Sequence, residues 1–277
     1  MDKHPLAHLP GAGPLENRSE AQRSLDSWLA TLARDGSLSG LRELLAKGAN
    51  PKADDSEALA AAAANGHADC VELLIPISTP KALFSRALDR AASRGHADCA
   101  RLLIPVSNPR ARSSAALISA ACNGFVECVK LLLPVSDPLA RGSLALRSAI
   151  INNRPECVAL LIPRSNAKGN RSGALRLAIH LRRVECAKLL VPASQDLSED
   201  PLPAEHALRL GEEGIFSIML AHSPRLADAV SLPDALDNAV SAGHFELAYF
   251  LKSAIESRFI FEACSSSPAP GSPKSRL

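Results

Sequence analysis

Between Ser85 and Pro105 the apolar positions run twice in a helical rhythm. Ala87, Leu88, Ala91 and Ala92 recur at i, i+1, i+4 and i+5, which places them on one helix face. That segment reaches Gly95, a residue that tolerates the left-handed conformation of many helix ends. A second segment starts near Ala97, with Asp98 in its first turn, where a carboxylate complements the helix dipole. Cys99, Ala100, Leu102, Leu103 and Ile104 supply its apolar faces, and Pro105 stands where a helix should stop. The pattern predicts helix, turn, helix, loop. Ser85, at the start, is predicted to cap the first helix with its hydroxyl.

The same pattern returns every 29 residues. Cys70, Cys99, Cys128, Cys157 and Cys186 keep this interval, as do Pro76, Pro105, Pro134, Pro163 and Pro192. So do Ser56, Ser85, Ser114, Ser143 and Ser172, and the alanines from Ala62 through Ala91, Ala120, Ala149 and Ala178 to Ala207. Four residue types in one register specify an array of repeated units. Inter-helix turns near Gly36, Gly66, Gly95, Gly124, Asn153, Arg182, Gly211 and Gly243 give about eight units across residues 21–263. Residues 1–20 and the Ser/Pro-rich 264–277 are expected to be disordered flanks. Trp28 at one end, and Tyr249, Phe250, Phe259 and Phe261 at the other, are expected to cover the ends of the stack.

Composition agrees with helices packed through small side chains. Aromatic residues make up 3 % of the chain while 47 % is hydrophobic, so the interior must be Ala, Leu, Ile and Val, and disorder throughout is excluded. A net charge of +2 argues against affinity for nucleic acid or membrane. Met1–Glu20 carries Asp2, Pro5, Pro10 and Pro14 and no continuous apolar stretch, unlike a cleaved secretory signal. A soluble monomer is expected.

The run Gly66-His67-Ala68-Asp69-Cys70-Val71-Glu72-Leu73-Leu74-Ile75 resembles the second-helix signature of ankyrin repeats, and so do 95–104, 124–133 and 243–251. Leu44-Leu45-Ala46-Lys47-Gly48-Ala49-Asn50-Pro51 is similar to the family's repeat ending. The resemblance spans roughly residues 23–260 and implies an all-α, ankyrin-like α-solenoid of helix-turn-helix repeats. Two departures stand out. A typical repeat of the family has 33 residues, and the ten-residue loops here, such as 76–85, leave little or no room for its β-hairpin. The family's Thr-Pro-Leu-His start is reduced to Arg86-Ala87-Leu88-Asp89 and Ala115-Ala116-Leu117-Ile118.

The register decides the chemistry of the cysteines. Equivalent helices in a stack lie about 8–10 Å apart, whereas a disulfide needs Cα atoms within about 7 Å. Buried packing as thiols is therefore expected, with no metal and no cofactor, in a reducing compartment. His67, His96 and His244 follow the turn glycines, which the resemblance explains as turn residues. His180 and His206 have no nucleophile arrangement beside them, and no phosphate loop, paired-carboxylate motif or zinc signature is present. Cys122 and Cys264, which stand off the register, carry the rival reading of a thiol-dependent enzyme.

The loops hold the one charge asymmetry. Loops 76–85, 105–114, 134–143 and 163–172 carry Lys81, Arg110, Arg112, Arg141, Arg164, Lys168 and Arg171 against the single acid Asp137. The following loop reverses sign with Asp196, Glu199 and Asp200. A basic strip ending in an acidic patch is expected, with Arg147 and Arg176 extending it onto the first helices. The resemblance implies protein binding along this loop edge and first-helix surface. The reading is thus a non-catalytic scaffold for a protein partner with an acidic surface. High Ala, Leu and Arg with scarce Lys suggest a bacterial chain. That points to an effector delivered to a host protein without a cleaved signal; the alternative is a cytoplasmic chaperone or immunity-type partner.

Overall fold

The computed structural model describes residues 15–266, apart from the side chains of residues 15–19, 84, 170, 171 and 259–266. Helices occupy most of that length and no strand occurs among the described residues. The chain divides into two units, residues 1–166 and 167–277. The expectations for residues 1–14 and 267–277 lie outside the described residues. Helix α1 begins at Leu15 and the last helix ends at Ser266, so helix reaches into both segments expected to flank the array.

The first unit stacks five helix pairs: α1 (Leu15–Asp35) with α2 (Leu38–Ala46), α3 (Ala53–Asn65) with α4 (Ala68–Leu74), α5 (Ala82–Arg94) with α6 (Ala97–Leu103), α7 (Ala111–Asn123) with α8 (Val126–Leu132), and α9 (Ala140–Ile151) with α10 (Pro155–Leu161). First helices pack on first helices, from α1 through α3, α5 and α7 to α9, and second helices on second helices. Two layers result, and the repeated small residues explain them. Ala91, Ala92, Ala120, Ala121 and Ala149 are fully buried, as are Leu88, Leu117, Leu103 and Leu132. Alanine lets helices approach closely while each buried Leu contributes about 1.5–3 kcal/mol of transfer free energy. The single 3-10 turns Ile75–Ile77, Ile104–Val106 and Ile162–Arg164 end α4, α6 and α10, with Pro76, Pro105 and Pro163 in their first positions.

The second unit holds three pairs built alike: α11 (Gly169–His180) with α12 (Val184–Leu190), α13 (Leu202–Leu210) with α14 (Glu213–His222), and, after the short α15 (Leu226–Ala229), α16 (Leu232–Ser241) with α17 (Phe245–Ser266). Phe216 is its largest fully buried side chain and meets Phe250 edge to face, ring centroids 6.3 Å apart. Of the aromatic residues expected to cover the ends, Phe250 packs on Phe216 in this way. Phe245 and Tyr249 are 74 % and 78 % exposed, Trp28 is half-buried, and the Phe259 and Phe261 side chains lie outside the described residues.

All eight turn positions read from the sequence have positive φ, including Asn153 at 53° and Arg182 at 55°. Glycine at these corners also makes room for the neighbouring helix pair. A Cβ on Gly95 would stand 2.4 Å from Cδ1 of Phe125, and one on Gly66 would stand 2.6 Å from Nδ1 of His96. His67 and His96 turn out to be staples between neighbouring helix pairs. The Nε2 of His67 lies 2.9 Å from the Arg34 carbonyl oxygen, and that of His96 lies 3.0 Å from the Ala64 carbonyl oxygen.

The repeated serines do something other than cap. None of α3, α5, α7, α9 or α11 has a side-chain cap hydrogen bond. Each of these serines is buried with positive φ. Its hydroxyl oxygen accepts the backbone N–H of a residue 23 positions later, in the next loop. Thr79 donates to Ser56 at 2.9 Å, Asn108 to Ser85 at 2.8 Å, Asp137 to Ser114 at 2.8 Å, and Asn166 to Ser143 at 3.0 Å. In the second unit Gln195 donates to Ser172 at 3.2 Å. The helix starts are instead left-handed turns, such as Arg112, Ser113 and Ser114 with φ of 48°, 58° and 62°. Such conformations cost about 1–2 kcal/mol for each residue other than glycine, and the serine bond fixes the last of them from outside the loop.

Candidate interaction surface

Because each serine holds the following loop at the same sequence distance, equivalent loop positions in the first unit fall into rows. Lys81, Arg110 and Leu139 occupy one row; Leu83, Arg112 and Arg141 occupy another, two residues further along each loop. The backbone before the left-handed turn is pinned as well. The Asn108 side-chain oxygen accepts the Arg110 N–H at 3.1 Å, and that of Asp137 accepts the Leu139 N–H at 3.0 Å. Lys81, Arg110, Arg112 and Arg141 are exposed, as is Arg164 on its 3-10 turn and Arg147 on α9.

These cations have no counter-ion among the described residues. On α6 and α8 the bases are neutralised within their own turn: Arg101 with Asp98 at 2.7 Å and Lys130 with Glu127 at 2.6 Å. On the first helices, Glu57 takes both Arg86 at 2.7 Å and Arg90 at 2.9 Å. None of Lys81, Arg110, Arg112, Arg141, Arg147 or Arg164 makes an ion pair there. From Lys81 to Arg164 the loop cations of the first unit are therefore unpaired, with Asp137 the one acid in those loops. Two apolar side chains share these rows, Leu83 at 45 % and Leu139 at 55 % exposure. Sequence reasoning passed over both, although each stands in register with a cation. It also passed over Lys52, exposed one period before Lys81 but sharing its loop with the exposed Asp54 and Asp55.

The remaining basic residues belong to the second unit and behave differently. Lys168 lines one concavity with Asp196, Glu199 and Asp200, so its charge is opposed there. The Asp196 carboxylate is held below its ordinary range by hydrogen bonds from the Ser198 hydroxyl and N–H, at 2.7 and 2.9 Å. Arg176 is half-buried on α11. It belongs to a group with His180, His206 and Arg209, in which Arg209 donates to Nδ1 of His206 at 3.0 Å and the two histidine rings stand 5.7 Å apart. Partial burial, and then the charges of Arg209, His180 and Arg176, push the His206 imidazole below its ordinary pKa. The Arg171 side chain lies outside the described residues.

The register cysteines are packing groups. Cys70, Cys99, Cys128, Cys157 and Cys186 are buried. Burial, with a neighbouring carboxylate second, pushes the Cys128 thiol up to about 11, and Cys99 and Cys157 reach the same value. Such thiols are protonated at neutral pH and poor nucleophiles or ligands. Cys122 is half-buried, its sulfur 3.2 Å from the Asn152 side-chain nitrogen, and Cys264 lies outside the described side chains. Among the described residues no three His, Cys, Asp or Glu side chains group as a metal site, and no helix is long and apolar enough to cross a membrane.

The family model described as "Ankyrin repeats (3 copies)" matches three overlapping stretches, residues 28–111, 88–172 and 117–200. Among solved structures, the ankyrin repeat domain of human ASB11 is similar, with a TM-score of 0.56 and 20 % sequence identity over 70 % of this chain and 96 % of that one. No curated protein matches the sequence.

Proposed function

The chain belongs to the ankyrin repeat family, and from that premise we propose that it is a non-catalytic scaffold binding a protein partner with an acidic surface along the loop edge of its first unit. Ankyrin repeats are protein-interaction modules, and a stack of this kind presents a surface without needing chemistry. The observation that carries the reading is the unpaired charge of Lys81, Arg110, Arg112 and Arg141 on loops tied one to the next, beside Arg101 and Lys130 whose charges are already paired. A preorganised row of charges loses little entropy on binding and accelerates encounter with an opposite surface.

Hexaglutamate serves as the acidic probe. The full chain should bind it at low salt, with affinity falling as salt rises, and the combined variant Lys81→Glu, Arg112→Glu, Arg141→Glu should lose that binding. All three side chains are exposed, so the fold should survive. Equal affinity of the variant and the parent would sink the reading.

The setting proposed is a reducing compartment, supported by the buried, protonated thiols. Action as a bacterial effector inside a host cell is part of the same proposal, against the alternative of a partner within the producing cell. A translocation reporter on residues 1–50 that never reaches host cytosol would remove the effector arm.

A further inference from the structure

The rows on the loop edge have a period as well as a charge. The first helices at whose starts they stand, α5, α7 and α9, pack directly on one another, and helices in such contact lie about 8–10 Å apart. Along the chain, the first row reads cation, cation, apolar at Lys81, Arg110 and Leu139. The second reads apolar, cation, cation at Leu83, Arg112 and Arg141. All six stand in the first unit, in loops fixed to their neighbours by the bonds Ser85 to Asn108 and Ser114 to Asp137.

A ligand that meets every loop must repeat its own side chains at that distance. A β-strand repeats on one face at about 6.6–6.8 Å, too short for one loop, and at about 13.2–13.6 Å when doubled, too long for one loop and too short for two. An α-helix returns to one face after seven residues, about 10.5 Å, and overshoots a little more at each loop. Polyproline II has three residues per turn and returns at about 9.3 Å, within the spacing of the stack. Its three ridges also suit the surface: one for each row and a third for solvent. We infer that the loop edge of the first unit recognises an extended, polyproline II-type acidic segment of a protein, with carboxylates and leucine-like side chains repeating every third residue to match these two rows.

The inference rests on the reading of the loop edge as an acid-binding surface and deepens it. The matching nonapeptide is Glu-Leu-Pro-Glu-Glu-Pro-Leu-Glu-Pro. Its first ridge, Glu, Glu, Leu, meets Lys81, Arg110 and Leu139; its second, Leu, Glu, Glu, meets Leu83, Arg112 and Arg141; its prolines face water and hold the conformation. The left-handed twist puts the second ridge on the correct side in one chain direction only, so the reverse peptide is measured too.

Fluorescence anisotropy on the full chain would compare four labelled probes: the nonapeptide, its reverse, a permutation with four contiguous Glu, and a helical peptide with acids seven residues apart. One direction of the nonapeptide should bind about tenfold tighter than the permutation, the increment of two or three exposed ion pairs acting together. The uncharged variant Leu139→Ser should shrink that preference by weakening the nonapeptide more than the permutation, since it removes an apolar contact without changing the charge of the edge. Equal affinity for nonapeptide, reverse and permutation would overturn the spacing and leave the acid-binding reading standing. Tighter binding of the helical peptide would overturn the polyproline II geometry. No preference for any of them over glutamine-substituted versions would overturn the acid-binding reading itself.

Discussion

The hydroxyl oxygen of Ser85 accepts the backbone N–H of Asn108 at 2.8 Å, so a side chain in one loop supplies the hydrogen bond that the next loop lacks. The bond crosses 23 residues and joins two neighbouring helix pairs, although Ser85 stands at the start of α5 where a local cap would be expected. It recurs from Ser114 to Asp137 and from Ser143 to Asn166.

Ser85→Ala should therefore lower stability by about 1–3 kcal/mol, because it leaves a part-buried N–H without its acceptor. Ser107 is the control, since its buried hydroxyl meets no partner among the described residues. Ser107→Ala should be neutral or stabilising. Urea midpoints of the two variants decide the matter: equal losses would show that the bond from Ser85 carries no special weight.

A second pair of variants separates backbone strain from crowding. Gly48 and Gly95 have similar φ, 89° and 81°, but a Cβ on Gly48 meets nothing within 4 Å while one on Gly95 runs into the Phe125 ring. Gly48→Ala should cost about 1 kcal/mol, the left-handed penalty alone. Gly95→Ala should cost about 2–3 kcal/mol, since the ring must also shift. Gly95→Ala in a Phe125→Ala background should fall back toward the Gly48 value in thermal or urea unfolding.

These contrasts show where the sequence was readable. The turns at Gly95, Asn153 and Arg182 and the burial of Cys99 and Leu103 follow from local periodicity, which an alignment of the chain against itself exposes. The register of Ser85 was equally visible, but its role was not, because the acceptor's partner is a backbone N–H and carries no residue signature. A second serine register, Ser78, Ser107, Ser136, Ser165 and Ser194, went unread; Ser78 and Ser136 donate to the Pro51 and Pro109 carbonyls at 3.3 and 3.4 Å. The left-handed turn at Arg112, Ser113 and Ser114 left no trace either, since residues without glycine's freedom normally argue against it. At the loop edge, Arg112 and Arg141 were found by counting charge, whereas Leu83 and Leu139 required knowing which apolar side chains the stack leaves uncovered.

The buried cysteines make stability depend on alkaline pH. Cys99, Cys128 and Cys157 titrate near 11 in the folded chain against an ordinary value of 9.0. Their folded pKa is raised, so the stabilisation is full below pH 9 and is lost as pH climbs through 11, where the unfolded chain ionises more readily. The urea midpoint should fall between pH 9 and 11, and Cys128→Ala should shrink that fall. Thiol labelling at pH 8 should reach the half-buried Cys122 well before these three. Rapid labelling of Cys128 in the folded chain would contradict its burial.

Paired and unpaired cations should respond oppositely to the same charge change. Lys130 on α8 is neutralised by Glu127 at 2.6 Å, whereas Arg141 has no counter-ion among the described residues. For binding of hexaglutamate, Lys130→Gln should change affinity by less than about twofold, since an exposed pair contributes at most about 1 kcal/mol and its field is already cancelled. Arg141→Gln should weaken binding about threefold to fivefold at low salt. The gap between the two variants should close near 1 M salt, where the screening length drops to about 3 Å. Equal losses for Lys130→Gln and Arg141→Gln would mean that the probe senses overall charge and that the loop edge holds no privileged place in binding.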